Sequence, residues 1–207
     1  MNFVSFHEPR IIQFSPIRSG STLVYNYLLH LKKNPQKIHN YTCKKNNRYI
    51  ITIRHPYNSI ISSILRYDKE ININTLKEGI NGYLSDGGNC IINNNFNDDN
   101  HCVLIYEDFL HNHDIILDKL ELFFNEKYSV NLKNEIKTKL DINNIKKKLQ
   151  DKGYDKFDNY DKKYQLHGKH ISEYNGKTDY KSILKEHEIK LLENNIKLTK
   201  IIDKYYS

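Results

Sequence analysis

Eight consecutive residues, Ser15-Pro16-Ile17-Arg18-Ser19-Gly20-Ser21-Thr22, gather four hydroxyl side chains, one glycine and one arginine between two apolar runs. The chemistry open to such a segment is the holding of an anion. A strand that enters a helix through a tight turn aims free backbone N–H groups and a positive dipole end at one spot. Arg18 adds a permanent charge with a fixed fork of donors. The loop therefore reads as a phosphate or sulfate cradle, with Arg18, Ser19, Gly20, Ser21 and Thr22 against the anion. The plainer reading is a helix N-cap beside a surface arginine. The loop is not a Walker A sequence, because Gly20 is followed by Ser21 where that pattern has lysine. Gly176-Lys177-Thr178 has the right tail, but Ile171 stands where its first glycine belongs. Both departures weaken an ATPase or GTPase reading.

Arg54 closes an apolar run, and Ser62 follows it by eight residues. Alone, the arginine reads as a structural ion pair at a strand end. With a hydroxyl in the first turn of the next helix, the two can grip a phosphate between a charge and a helix terminus. Two separate grips suit a ligand with a phosphate at each end.

Three apolar runs position these groups. Ile11 to Phe14, Tyr49 to Ile53 and Cys102 to Tyr106 read as buried strands, continuous in apolar residues as expected when both faces of a parallel sheet are covered. Helical spacing predicts helices over Leu23–Leu31, Ser59–Tyr67, Thr75–Leu84, His113–Phe124, Asn131–Leu149 and Glu186–Tyr205. Lys32 to Arg48, Asp86 to Asn100 and Asp151 to Asn175 read as connections. Strands alternating with helices predict an α/β domain with a mainly parallel central sheet flanked by helices. Ligands in such sheets sit beyond the carboxyl ends of the strands, where Arg18, Arg54 and Tyr106-Glu107-Asp108 all fall.

The 207 residues suffice for one domain, taken as 1–207. The net charge of +7 favours anionic partners, although lysines scattered over helix exteriors explain it equally. No nucleic-acid motif is present. Cys43, Cys90 and Cys102 lack C-x-x-C spacing, which argues against a disulfide framework or a zinc site and for a reducing compartment. With no apolar stretch of spanning length and no signal-like N-terminus, the expectation is a cytoplasmic protein without a membrane partner.

These residues resemble the PAPS-dependent sulfotransferases, which use 3′-phosphoadenosine 5′-phosphosulfate. Pro16 to Thr22 resembles the family's 5′-phosphosulfate loop, P-x-[KR]-[ST]-G-[ST]-[ST]. Arg54 with Ser62 is similar to its 3′-phosphate element. Lys37-Ile38-His39 resembles its K-x-H segment, whose histidine is the base in the cytosolic branch. Tyr106-Glu107-Asp108 resembles its Y-E-D segment, whose tyrosine lies near the adenine. Thr178-Asp179-Tyr180-Lys181 resembles the G-D-W-K end of its cofactor-covering loop. The motifs run in family order from about Ile11 to Lys181.

The resemblance implies a P-loop-NTPase-like three-layer fold and in-line transfer of a sulfuryl group from the nucleotide to a hydroxyl or amine. It further implies Arg18, Lys37 and His39 at the reaction centre, with Glu8 and His55 as other candidates for the base. Lys169 or Lys177 would replace the basic triplet of the late loop, and no metal is required. Arg18 stands where the cytosolic branch has lysine, the chain has no tryptophan to stack on adenine, and the stretch before Lys37 is short. The acceptor, whether small molecule, carbohydrate or protein tyrosine, is not readable. The competing readings are a non-catalytic nucleotide- or polyanion-binding module and a small kinase.

Overall fold

Four short strands lie side by side and all run in the same direction. The computed structural model describes residues 9–41, 44, 46–154, 160–166 and 178–207. The strands are β1 (Ile11–Phe14), β2 (Gln36–Ile38), β3 (Arg48–Ile53) and β4 (His101–Ile105), in the order β2-β1-β3-β4. Register places Phe14 beside Ile38 and Ile51, and Ile53 beside Ile105. The carboxyl ends of all four strands thus share one rim.

Helices cover both faces, which explains the continuous apolar runs. On β3, Tyr49, Ile51 and Ile53 point to one face and Ile50 to the other. The first face packs against α2 (Pro56–Arg66), α3 (Ile73–Tyr83), α10 (Glu186–Glu193) and α11 (Ile196–Tyr205), through Ile60, Leu76, Leu192 and Leu198. The second packs against α1 (Ser21–His30), α6 (Asp114–Phe124), α7 (Val130–Lys139) and α8 (Ile142–Asp151), through Tyr27, Leu117, Ile136 and Leu149. Short α4 (Asn89–Asn93), α5 (Tyr106–Phe109) and α9 (Tyr180–Ile183) complete the helices. The expected three-layer, mainly parallel, P-loop-like arrangement is what the chain adopts. Among the described residues no helix is long and apolar enough to cross a membrane.

Several boundaries differ from the expectation. Gln36-Lys37-Ile38 is a strand and not part of a connection. The basic stretch 131–149 is two helices, because Asp141 accepts from the Asn143 and Asn144 N–H groups and starts α8 afresh. Asn195 does the same for α11 within the expected terminal helix, accepting from Leu198 N–H. Residues 86–100, read as loop, hold a wide helical turn over Leu84–Gly88 and then α4. The basic stretch is also largely paired. Lys133 contacts Asp118 and Glu121, Lys137 contacts Asp114, Lys139 contacts Glu135 and Lys148 contacts Asp161.

Candidate active site

The β1–α1 junction turns through two left-handed residues, Arg18 at φ 59° and Gly20 at φ 79°. This conformation costs a non-glycine residue about 1–2 kcal/mol, so Arg18 must be held there by its surroundings. The Ile17 carbonyl accepts from Ser59 Oγ, and the Arg18 carbonyl accepts from Arg54 Nη1 at 3.2 Å. Gly20 has a second constraint beyond its φ. A β-carbon there would stand 2.6 Å from Tyr106 Cδ2 and 3.0 Å from Phe109 Cζ. Among the described residues no side chain caps α1 and its first turn carries no acid, so its leading N–H groups and dipole are left to the rim.

Three further strand ends add side chains to this loop. Arg54, at the end of β3, is only 3% exposed, and its guanidinium lies 4.6 Å from the centre of the Tyr106 ring. Arg18 Nε donates to Ser62 Oγ at 3.1 Å. Lys37, on the edge strand β2, donates from Nζ to Thr22 Oγ1 at 2.8 Å. His39 Nδ1 lies 3.0 Å from the Ser15 carbonyl. A carbonyl can only accept, so Nδ1 carries a proton, and in the neutral ring the lone pair is on Nε2. Behind His39 runs the turn at Gly87, φ 113°, where a β-carbon would stand 3.1 Å from the His39 carbonyl oxygen and from Pro16.

These groups line one cavity of about 760 Å³. Besides Lys137, which pairs with Asp114, the cations Arg18, Lys37, Arg54 and Arg66 line it, and Leu110, Leu140, Ile142 and Ile145 give it an apolar wall. The carboxylates that line it are engaged elsewhere: Asp114 pairs with Lys137 at 2.8 Å, and Asp141 caps α8. Crowded cations pull each other's pKa down. Burial, helped by Arg66 and Arg54, lowers Arg18 to about 10. Burial, helped by Arg66 and Arg18, lowers Lys37 to about 8. Arg54 is lowered by burial as well. Buried Arg54 and half-buried Arg18, Lys37 and Arg66, beside the α1 amides, are suited to a ligand with several negative charges.

The expected residues fare differently. Arg18, Gly20, Ser21, Thr22, Lys37, His39, Arg54, Ser62 and Tyr106 all line the cavity, and Ser19 is buried beneath the loop, its Oγ 3.4 Å from the Ile17 carbonyl. Ser62 needs a correction. Because α2 starts at Pro56, Ser62 lies in its second turn and offers a hydroxyl, not a helix-terminal amide. Tyr106 opens α5 rather than closing β4, with its ring against Arg54 and Gly20. His55 does not line the cavity. Its ring stacks on Tyr180 at 5.3 Å, and burial, with Lys181 and Arg54, drives it down to about 4. Glu8, Lys169, Lys177 and Cys43 lie outside the described residues. Arg66 was not anticipated; it lies four residues after Ser62 on α2, hence on the same helix face.

The all-parallel sheet flanked by helices, with a tight left-handed turn at the β1–α1 junction, defines a P-loop-like α/β fold. Among solved structures the chain is similar to a mouse sulfotransferase, SULT7A1, complexed with PAP. The TM-score is 0.65 at 12% sequence identity, covering 96% of this chain and 88% of the mouse chain. No model of a known protein family matches the sequence, and no curated protein matches it. The likeness establishes a sulfotransferase-like fold.

Proposed function

We propose that this chain transfers the sulfuryl group of 3′-phosphoadenosine 5′-phosphosulfate to a hydroxyl or amine of an acceptor. One observation carries the reading. Two strand-end arginines from adjacent strands, Arg18 and Arg54, share a cavity with the Lys37/His39 pair of the edge strand. The residues fit the co-substrate on chemical grounds, since buried cations and helix amides meet its phosphate and sulfate groups, and the apolar wall suits its base. When bound, the nucleotide supplies an activated sulfuryl group on a phosphate leaving group.

The chain's own groups divide the work. The α1 amides, Ser21 and Thr22 hold the 5′ end, and Arg54 with Ser62 holds the 3′-phosphate. Arg18 stabilises charge developing on the leaving oxygen without giving up its proton. Lys37, tied to Thr22, adds charge on the same side. His39 Nε2 takes the acceptor proton, while the Nδ1 hydrogen bond to Ser15 fixes the tautomer. The acceptor–sulfur bond forms as the sulfur–oxygen bond to phosphate breaks.

A transfer assay with labelled co-substrate over a panel of phenol, sugar and peptide acceptors tests this reading. His39→Ala should abolish transfer, by about 10²–10⁴-fold, while leaving nucleotide affinity intact. Transfer retained in that variant would remove His39 as the base. Nucleotide binding without transfer to any acceptor would favour the non-catalytic module, and tighter stabilisation by ATP than by the bisphosphate would favour a kinase.

A further inference from the structure

Behind Arg54, on the side away from the cavity, four separate chain segments meet in one cluster. Glu107, in the first turn of α5, uses both carboxylate oxygens. Oε1 accepts the backbone N–H of His55 at 3.0 Å, and Oε2 accepts the hydroxyl of Tyr206, just past α11, at 2.8 Å. The His55 ring lies among Tyr180, stacked at 5.3 Å, and Tyr57 and Tyr206, edge-on at 5.0 and 5.2 Å. Tyr180 is pinned in turn, its N–H donating to Asn58 Oδ1 at 3.0 Å.

The position of the first contact gives the cluster its meaning. His55 follows Arg54 directly, and Pro56 after it has no N–H to donate. The peptide that leaves β3 at Arg54 thus has one remaining main-chain donor, and Glu107 holds it. Glu107 also acts electrostatically on Arg54. A guanidinium that must meet a phosphate in a fixed orientation depends on a fixed backbone beneath it, because small displacements at a binding group are costly.

We propose that Glu107 is a positioning residue for Arg54. Clamped between the His55 N–H and the Tyr206 hydroxyl, it makes recognition of the ligand's 3′-phosphate depend on the end of α11. This rests on the proposed assignment of Arg54 to the 3′-phosphate. Glu107 does not line the cavity, so it acts on the ligand through Arg54 and the peptide it holds, not by touching the ligand.

The test compares adenosine 3′,5′-bisphosphate with AMP, which lacks the 3′-phosphate, by calorimetry on the full chain. Glu107→Ala should weaken the bisphosphate about tenfold and AMP less than about twofold, the size expected for loss of hydrogen bonds to a charged group. Glu107→Gln keeps a carbonyl oxygen for the His55 N–H and should restore bisphosphate affinity to within about twofold of wild type. Tyr206→Phe, a milder change that tests the clamp if Glu107→Ala does not fold, should cost about threefold on the bisphosphate alone. Equal losses for both ligands, no loss for either, or no rescue by Gln would overturn the proposal. A wild-type chain that fails to distinguish the two ligands would instead remove the co-substrate assignment beneath it.

Discussion

The β1–α1 and β3–α2 junctions stand side by side on the same rim, and in the proposed reading they would hold anions by different means. The first grips with main chain. Two left-handed residues, a glycine at the N-cap and the lack of any capping side chain leave the helix amides open. The second has fewer such donors, because Pro56 opens α2 without an N–H and Glu107 takes the N–H of His55. It grips with side chains, Arg54 and Ser62, held on a rigid strand end and helix face. One junction depends on conformation, the other on charge and its placement.

Substitutions that disturb conformation should therefore strike the first junction hardest. Gly20→Ala combines a left-handed backbone with a β-carbon 2.6 Å from Tyr106. It should destabilise the fold by about 2–4 kcal/mol in urea unfolding. A stability within error of wild type would show that the turn is not the constrained element described. At the second junction the main loss should be in affinity, although Arg54 also donates to the Arg18 carbonyl. Arg54→Ala should weaken the 3′,5′-bisphosphate by about 10–100-fold, the value of charge-assisted hydrogen bonds, and Arg54→Lys should recover only part of it because the fork is lost. Full recovery by lysine would reduce the role of Arg54 to a point charge.

The smallest effect is a pH dependence confined to the first junction. Lys37 titrates near 8 and holds an anion only when protonated. Affinity for the 5′ group should therefore be full below pH 7 and fall as pH rises through 8, by about tenfold between pH 7 and pH 9. The slope arises because a bound anion raises the lysine pKa, and it is fullest when that rise carries the pKa well above this range. Lys37→Met should flatten the profile, and a slope that survives in that variant would place the titrating group elsewhere.

Legibility in the sequence followed the same division. The β1 loop was readable because its hydroxyls, glycine and arginine are contiguous, and β3 because a strand buried on both faces is a plain apolar run. The edge strand β2 was not readable. Gln36-Lys37-Ile38 is half-exposed and too short for a period, so only its pairing with β1 reveals it. The breaks at Asp141 and Asn195 carried a usable signal, since each is a capping residue set before an apolar one. Arg66 could have been found from its four-residue spacing to Ser62. The apolar wall of Leu110, Leu140, Ile142 and Ile145 could not, because packing of distant segments assembles it. Ser62 falls in the second turn and not the first because α2 begins three residues before the Ser59 start that the spacing predicts, at Pro56.

The central claim is that two anion grips serve one ligand bearing phosphates at both ends. Calorimetric titration of the wild-type chain with adenosine 3′,5′-bisphosphate and with AMP tests it most directly. The bisphosphate should bind at least about tenfold more tightly, the contribution of a charge-assisted contact at Arg54. Equal affinities, or no binding of the bisphosphate, would contradict the account.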